Sequence, residues 1–586
     1  MESMRKLKLI HSSWALLVLL AFSIASAGTV SADDATGGIP IPVNRVVVWD
    51  GEQASLGAGW VNPTNLTIKP QSLEAHSGST ALEFKFKGRN QWLGAGWNWC
   101  NFKTGTNVGT DASGLKNLTF WIKARGRTGA LQINLLCNGD VLDKPEEHTV
   151  KVAVLKYCPQ LFDGQWHEVV IPLADLNQIK GFNPKIISEI HFGFMAGNDT
   201  DGSFFIDDLA FDDRDTSTAM KFIHPGLLNS RAELDFIKAK INVGAEPWSS
   251  LFDRLKNSGY GNLNWTAQPL AVVNADGKDA SIENEDAKAA YAQALLWYFT
   301  GNDAYAKKSA EILDAWSAKL TNHVSGDLQR GVQAAWCGSV FPLAGEILRS
   351  SYPQWTTNEI RQFSVMLIQA FLPLILPGNA RYNGNWELSM SDALLCIGVF
   401  NEDTAAFNRG VFLWRKRVPA YFYLTTDGPT PVRPYGTNDL DSDASIYNFW
   451  YKPSQYFDGL CQETRRDYGH HMQMGLASAI NAAEIAYHQG LDLYGENDRR
   501  LMAAMEFQAG ALLGKPVSGE LFPDGFVPSD VLPTWEIAYN HFHNRQGFAL
   551  PMTGTLIHTK VRPSDFTAMC NLAWESMTHA ELGAMK

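Results

Sequence analysis

The stretch 287–320, AKAAYAQALLWYFTGNDAYAKKSAEILDAWSAKL, decides the fold class. Ala287 to Phe299 is an apolar-rich helix pattern. Thr300-Gly301-Asn302-Asp303 then supplies a turn with cap chemistry. From Tyr305 to Leu320, Ala306, Ala310, Leu313 and Trp316 recur at helical spacing. Two helices joined by so short a turn form an antiparallel hairpin. The same pairing recurs at Ala334–Ser350 with Asn358–Leu372, at Trp386–Val399 with Thr404–Arg417, and at Met472–His488 with Arg499–Leu513. No fixed repeat length accompanies it, which disfavours a regular solenoid. Residues 221–586 are therefore expected to form an all-α domain, an α/α toroid in which hairpins ring a central cleft. The irregular stretch Thr425–Gly459 interrupts the ring, and loops of such length are often functional.

Upstream of residue 220 the texture is different. Ala81-Leu82-Glu83-Phe84-Lys85-Phe86-Lys87 alternates apolar and polar residues, the mark of a half-buried strand. Leu118–Ile122, Leu131–Leu136, Trp166–Leu173 and Phe204–Leu209 read in the same way, with turn residues such as Asp163-Gly164 between them. Residues 40–215 are expected to form an all-β sandwich. The order His76-Ser77-Gly78-Ser79, Trp166, Ile206-Asp207-Asp208 resembles the jelly-roll carbohydrate-binding modules attached to secreted polysaccharide enzymes. Trp92, Trp97 and Trp99 lie close together, as a sugar platform or as packing.

The chain has 586 residues, a net charge of −12 and 45% hydrophobic residues, enough to bury a core and to exclude wholesale disorder. Such an acidic chain is a poor general nucleic-acid binder. Arg5, Lys6 and Lys8, the apolar run Trp14–Ile24 and the small residues Ser26, Ala27 and Gly28 predict a secretory signal peptide over residues 1–32. The expected location is secreted or periplasmic, with no membrane span after cleavage. Seven widely spaced cysteines form no disulfide framework, and no zinc-binding spacing is present.

Chemistry-bearing residues cluster in four places. Arg381-Tyr382-Asn383-Gly384-Asn385-Trp386-Glu387 precedes a helix, where Asn385 serves as a cap or as an amide donor to a carboxylate. Gln462–His471 packs acids, guanidiniums, Tyr468, His470 and His471 into ten residues. In Trp535–Arg545, helical spacing puts Tyr539, His543 and Gln546 on one face and His541 with Arg545 on another. Trp574–His579 reads as structural.

The segment Asn383–Glu387, the run Gln462–His470, the run Ala482-Ala483-Glu484 to Gln489-Gly490-Leu491-Asp492-Leu493-Tyr494 and the run Trp535–Arg545 together resemble the alginate lyase family of α/α-toroid polysaccharide lyases. The likeness spans roughly residues 225–585 and leans to the mannuronan- or glucuronan-lyase branch. It implies β-elimination on a 4-linked uronan, with Asn385 and Arg466 neutralising the uronate carboxylate and a His and a Tyr moving protons. The chain departs from the better-known members at Trp386, where they carry His, and at Gln473-Met474, where they carry Tyr-His. His470 is then the nearest base, with His471 beside it, and Tyr539, Tyr451 and Tyr468 compete as the acid in that order. Trp386, Tyr451, His471, His541 and Arg545 complete the expected substrate-binding set. The scheme needs no metal or other cofactor, and the expected partner is an anionic polysaccharide, poly-mannuronate first and glucuronan next. A glycoside hydrolase would instead need two carboxyl groups among Glu387, Glu463 and Glu536. A non-catalytic glycan-binding protein is the third class, against which the density of His, Tyr and Arg argues.

Overall fold

The computed structural model describes residues 44–50, 59–61, 66–72, 74–87, 92–100, 108–125, 131–137, 151–176, 182–195, 201–214, 220–437, 439–467, 469–515, 531–565, 567–568, 571–572 and 574–584. The expected signal peptide and Tyr468 lie outside them. Eleven strands come first: β1 (Arg45–Trp49), β2 (Gly59–Val61), β3 (Leu66–Gln71), β4 (Ala81–Phe86), β5 (Trp92–Asn98), β6 (Asn117–Arg125), β7 (Gln132–Cys137), β8 (Val152–Ala153), β9 (His167–Pro172), β10 (Ile187–Met195) and β11 (Gly202–Asp212). One sheet runs β3-β4-β11-β6-β9 with β1 also on β11, and the other runs β2-β5-β10-β7-β8. The period-two pattern explains the sandwich. Leu118, Phe120, Ile122 and Ala124 of β6 point inward, as do Leu93, Ala95 and Trp97 of β5. Phe120 meets Phe192 across the sheets edge-on at 5.6 Å. Trp97 is thus a core residue, 2% exposed, with no face left for a sugar, and Trp99 packs half-buried against the same core. The Trp92 side chain lies outside the described residues.

The motif shared with jelly-roll modules is a staple. The β11–β6 register slips between Asp207 and Ala210, where Asp208 takes a φ of 52°. That bulge turns both carboxylates toward the loop at His76. The His76 and Ser77 amides donate to Asp207 Oδ2 at 2.9 and 3.2 Å, and Ser77 Oγ donates to Asp208 Oδ1 at 3.0 Å. The His76 ring stacks on Trp121 at 3.6 Å and meets Trp166 at 5.8 Å.

The sandwich ends at Asp212, and from Arg231 the chain is mostly helical, with one short parallel strand pair, Val272–Asn274 on Asn322–Val324. Helix Arg231–Asn242 pairs with Trp248–Asn257 and Lys278–Thr300 with Asp303–Ser317, while Gln329–Ser351 packs on Leu367–Phe371 and Leu372–Ile375, which continue Thr357–Met366. Gly384–Phe400 pairs with Thr404–Arg417, and His470–His488 is followed by Asp498–Leu512. The long helices Lys278–Thr300, Gln329–Ser351, Gly384–Phe400 and His470–His488 pack in that order and are buried on nearly every face. They form the inner wall of the ring. Among the described residues, no helix is long and apolar enough to cross a membrane.

A buried ionic clasp closes the ring. Glu233 caps its own helix by accepting from the Ser230 amide at 2.8 Å. It also accepts from Arg545 Nη2 at 2.6 Å and lies 2.9 Å from His488 Nε2. Arg545 Nη1 donates to Glu484 Oε1 at 3.0 Å, and Tyr494 Oη donates to Glu484 Oε2 at 3.0 Å. Two carboxylates thus face two cations. Burial alone would raise the Glu233 carboxyl, but the His488 contact, the Ser230 amide and Arg545 bring it down to about 2.

The sandwich docks directly on the helical ring. Lys156, on the short helix Val154–Tyr157, lies 2.9 Å from Asp403 and 3.4 Å from Asp175. Arg409 donates to the Pro159 carbonyl, and Tyr435 Oη donates to the Gln160 carbonyl at 3.1 Å.

Breaking the clasp with Glu233→Gln is expected to cost about 3–5 kcal/mol, because it leaves buried cations uncompensated. A carboxyl lowered in the fold stabilises above its unfolded value and loses that contribution as pH falls through the folded one. The melting difference between wild type and variant should therefore be full above about pH 4.5 and shrink toward pH 2. Calorimetry across that range checks both the size and the sign. A chain beginning at residue 220 lacks the Pro159 and Gln160 carbonyls, so its helical part should melt below the full-length protein. Equal melting temperatures would show that the docking contributes nothing to stability.

Candidate functional site

The site is built where the first turns of helices Gly384–Phe400 and His470–His488 lie side by side. Two glycines let them close on one ring. A Cβ on Gly384 would fall 2.1 Å from Tyr421 Cδ2, and one on Gly475 would fall 2.4 Å from Tyr421 Oη. Tyr421 is fully buried, and burial pushes its phenol well above the ordinary value. Its hydroxyl donates to Glu463 Oε2 at 2.9 Å.

Glu463 is the hub. It is fully buried and also accepts from the Asn385 amide nitrogen at 3.1 Å. Asn385 Nδ2 reaches both its oxygens at 2.8 and 2.7 Å, and Arg466 Nη1 reaches Oε1 at 2.6 Å. Arg466 keeps 29% of its side chain exposed, so part of it reaches solvent. Asn385 is not a helix cap: Asn383 holds the cap position, and Asn385 stands in the first turn. Its donor edge is taken by Glu463 and the residue is fully buried, so the amide is not available to a uronate carboxylate in this geometry.

The rim is polar and aromatic. Gln462 ties the two segments together: its Oε1 accepts from the Gly384 amide at 3.0 Å, and its Nε2 donates to Asn383 Oδ1 at 3.0 Å and to the Phe449 carbonyl at 2.7 Å. Tyr451 Oη donates to the same Asn383 Oδ1 at 2.9 Å. Tyr451 and Lys452 both hold left-handed backbone, φ 58° and 55°, a strain that fixes where the phenol points. Burial raises the Tyr451 phenol, while Asn383 and the nearby Arg466 pull the other way. The His471 amide donates to Asp467 Oδ1 at 3.2 Å, and its Nδ1 pairs with Asp467 Oδ2. Burial would raise Asp467, but His471 and Arg466 draw its carboxyl below the usual range. The His470 ring sits 5.2 Å from that of His471. Trp386 stacks on the exposed Tyr382 at 4.8 Å.

Asn385, Trp386, Tyr451, Arg466, His470 and His471 therefore come together, and three expected site residues do not join them. Tyr539 stacks on His543 at 4.6 Å, and its hydroxyl lies against helix Pro551–Leu556, where a Cβ on Gly554 would fall 2.9 Å away. Among the described residues, no hydrogen bond or ring contact links it to Asn385 or Arg466. His541 is buried and stacks on Tyr494 at 3.9 Å; burial lowers its imidazole to about 4. Arg545 belongs to the clasp. The reason is local: Asn540–Arg545 is a π-turn, which brings Gln546 to His541 at 2.9 Å instead of to Tyr539. The carboxyl pair of a hydrolase is also absent from these candidates. Glu387 is buried beside Arg417, Glu463 is saturated, and Glu536 holds Arg562 at 2.8 Å and Ser576 at 3.1 Å. Sequence reasoning missed Tyr421 and the roles of Gln462, Glu463 and Asp467. The last three stand in the quoted run Gln462–His471; Tyr421 has only Gly384 and Gly475 as a signal.

Residues 44–213 match the family model of carbohydrate binding domain 30. The sandwich is similar to the family 30 carbohydrate-binding module of a cellulosomal cellulase of Clostridium thermocellum, at 18% identity over 30% of this chain and 100% of that one, TM-score 0.24. It is also similar to a family 11 module from that organism, at 14% identity over 29% of this chain and 95% of that one, TM-score 0.21. The helical part is similar to alginate lyase A1-III from Sphingomonas species A1, at 16% identity over 59% of this chain and 94% of that one, TM-score 0.41. No curated protein matches the sequence. The jelly-roll and lyase-like resemblances read from the sequence thus reappear among the relatives of the two parts.

Replacing Gly475 by Ala should drive Tyr421 off Glu463, because the new methyl would overlap the phenol. We expect a loss of about 1–3 kcal/mol of stability, checked by denaturant melting.

Proposed function

We propose that the protein is a secreted or periplasmic polysaccharide lyase that cleaves a 4-linked uronan by β-elimination, poly-mannuronate first and glucuronan next. The observation that carries the reading is the part-exposed Arg466 guanidinium, held by Glu463 and flanked by the Tyr451 phenol and the His471–Asp467 pair. A uronate C5 proton is weakly acidic while its carboxylate is ionised. A guanidinium on that carboxylate stabilises the charge that develops as the proton leaves. Asp467 holds His471 through Nδ1, which leaves Nε2 as the base. As the C5–H bond breaks, the electron pair forms the C4–C5 double bond, the C4–O4 bond breaks, and the leaving oxygen takes a proton from Tyr451. Trp386 and Tyr382 offer stacked aromatic faces for a neighbouring sugar. The family 30 match supports polysaccharide capture by the sandwich.

A panel of poly-mannuronate, poly-guluronate, glucuronan and hyaluronan, assayed in chelator, should give unsaturated ends that absorb near the ultraviolet edge. New reducing ends without unsaturation would make the protein a hydrolase. Arg466→Lys keeps charge but loses the planar fork, and should lower kcat by about 10²–10³, the scale of one lost oxyanion donor. Tyr451→Phe should cost about 10²–10⁴ in rate as a lost general acid, whereas Tyr539→Phe should leave turnover per folded molecule unchanged. The opposite ranking would return the acid to Tyr539.

A further inference from the structure

We infer that Glu463 is a positioning residue for this elimination: it decides which edge of Arg466 meets the substrate carboxylate. The inference rests on the uronan-lyase reading. Four protein groups converge on this one carboxylate: the Asn385 side-chain amide, the Asn385 main-chain amide, the Tyr421 hydroxyl and Arg466 Nη1. With its lone pairs taken and no surface exposed, it has no room to exchange a proton with substrate. Its effect must pass through the groups it holds.

Arg466 follows three residues later, so the bond closes within one helical turn and commits Nη1 inward. With Nη1 so engaged, Nη2 and Nε are the donors left for the substrate carboxylate. The same carboxylate fixes the Asn385 amide, since a flipped amide would set Oδ1 against it. Asn385 and Tyr421 thus act behind Glu463, holding the acceptor in place for Arg466.

Two roles for Glu463 predict opposite signs. If its charge merely weakened the field of Arg466, neutralising it would raise turnover. If it positions Arg466, Glu463→Gln lowers turnover, because the new amide turns a donor toward Nη1. Unsaturated-product kinetics on the best substrate of the panel test this in four proteins: wild type, Glu463→Gln, Arg466→Lys and the double variant. We expect kcat of Glu463→Gln to fall about 100-fold, the scale for a misplaced reacting group, with KM changed less. In the Arg466→Lys background the same change should cost about twofold or less, since the residue it acts through is already altered. A purely structural role would lower melting and give additive losses. Unchanged or raised kcat, or full additivity, overturns the inference while leaving the lyase reading intact. Wild type that releases no unsaturated product overturns both. Should Glu463→Gln not fold, Tyr421→Phe removes one donor and leaves the carboxylate buried, and the same cycle against Arg466→Lys decides by the same coupling.

Discussion

A ring of helical hairpins has two ends, and its cleft is defined only when they are held together. Here that constraint is the clasp of Glu233, Arg545, Glu484 and His488. Hydrophobic contact is non-directional and would let the ends slide. Ion pairs with fixed hydrogen-bond geometry set a register. Glu233 also closes the capping box of its own helix with Ser230, so cap and clasp share one side chain. The consequence reaches the site. His488 is the last residue of a 19-residue helix whose first two residues are His470 and His471. At 1.5 Å per residue, the clasp fixes one end of a rod about 28 Å long whose other end carries the candidate base.

The same constraint explains what sequence did and did not disclose. Helix pairs such as Lys278–Thr300 with Asp303–Ser317 were legible because their signals are local: apolar density, a Gly in left-handed conformation at the turn and an Asn cap. The period-two strands were legible for the same reason. His541 and Arg545 were misread because catalysis and ring closure draw on the same residue types. For Arg545 only the partner 312 positions away, Glu233, separates the two, and for His541 only its burial against Tyr494 does. The π-turn at Asn540–Arg545 added a second error, since it shifts each later side chain around the helix.

The neighbourhood of Arg466 was legible as a cluster but not as an arrangement. Gln462–His471 concentrates polar groups, yet a linear run does not say which group faces water. Burial decides it. Glu463 turns inward because Tyr421 and Asn385 supply donors there, and an unpaired carboxylate in that place would be costly. Arg466, one turn on, is left half outside. Thus one carboxylate of the run became the scaffold, and the guanidinium beside it became a part-exposed group.

The sandwich enters the same chain of supports. Arg409 is buried, and one guanidinium spans two parts of the fold. Its Nη1 takes the Pro159 carbonyl of the sandwich, and its Nε and Nη2 take the Leu376 and Pro377 carbonyls at 2.8 and 3.0 Å. Those carbonyls open the turn that leads into the site. Asn379 then donates its amide to Glu387 at 2.9 Å, and Arg417 holds the Tyr382 carbonyl at 2.6 Å. Asn383 follows, presenting its oxygen to Tyr451 and Gln462. An arginine suits the strut because its planar donors point in fixed directions and stay charged when buried. A lysine there would reach one carbonyl at a time. The docked sandwich is therefore joined, through this arginine and the short run of chain that follows, to the loop whose Asn383 holds Tyr451.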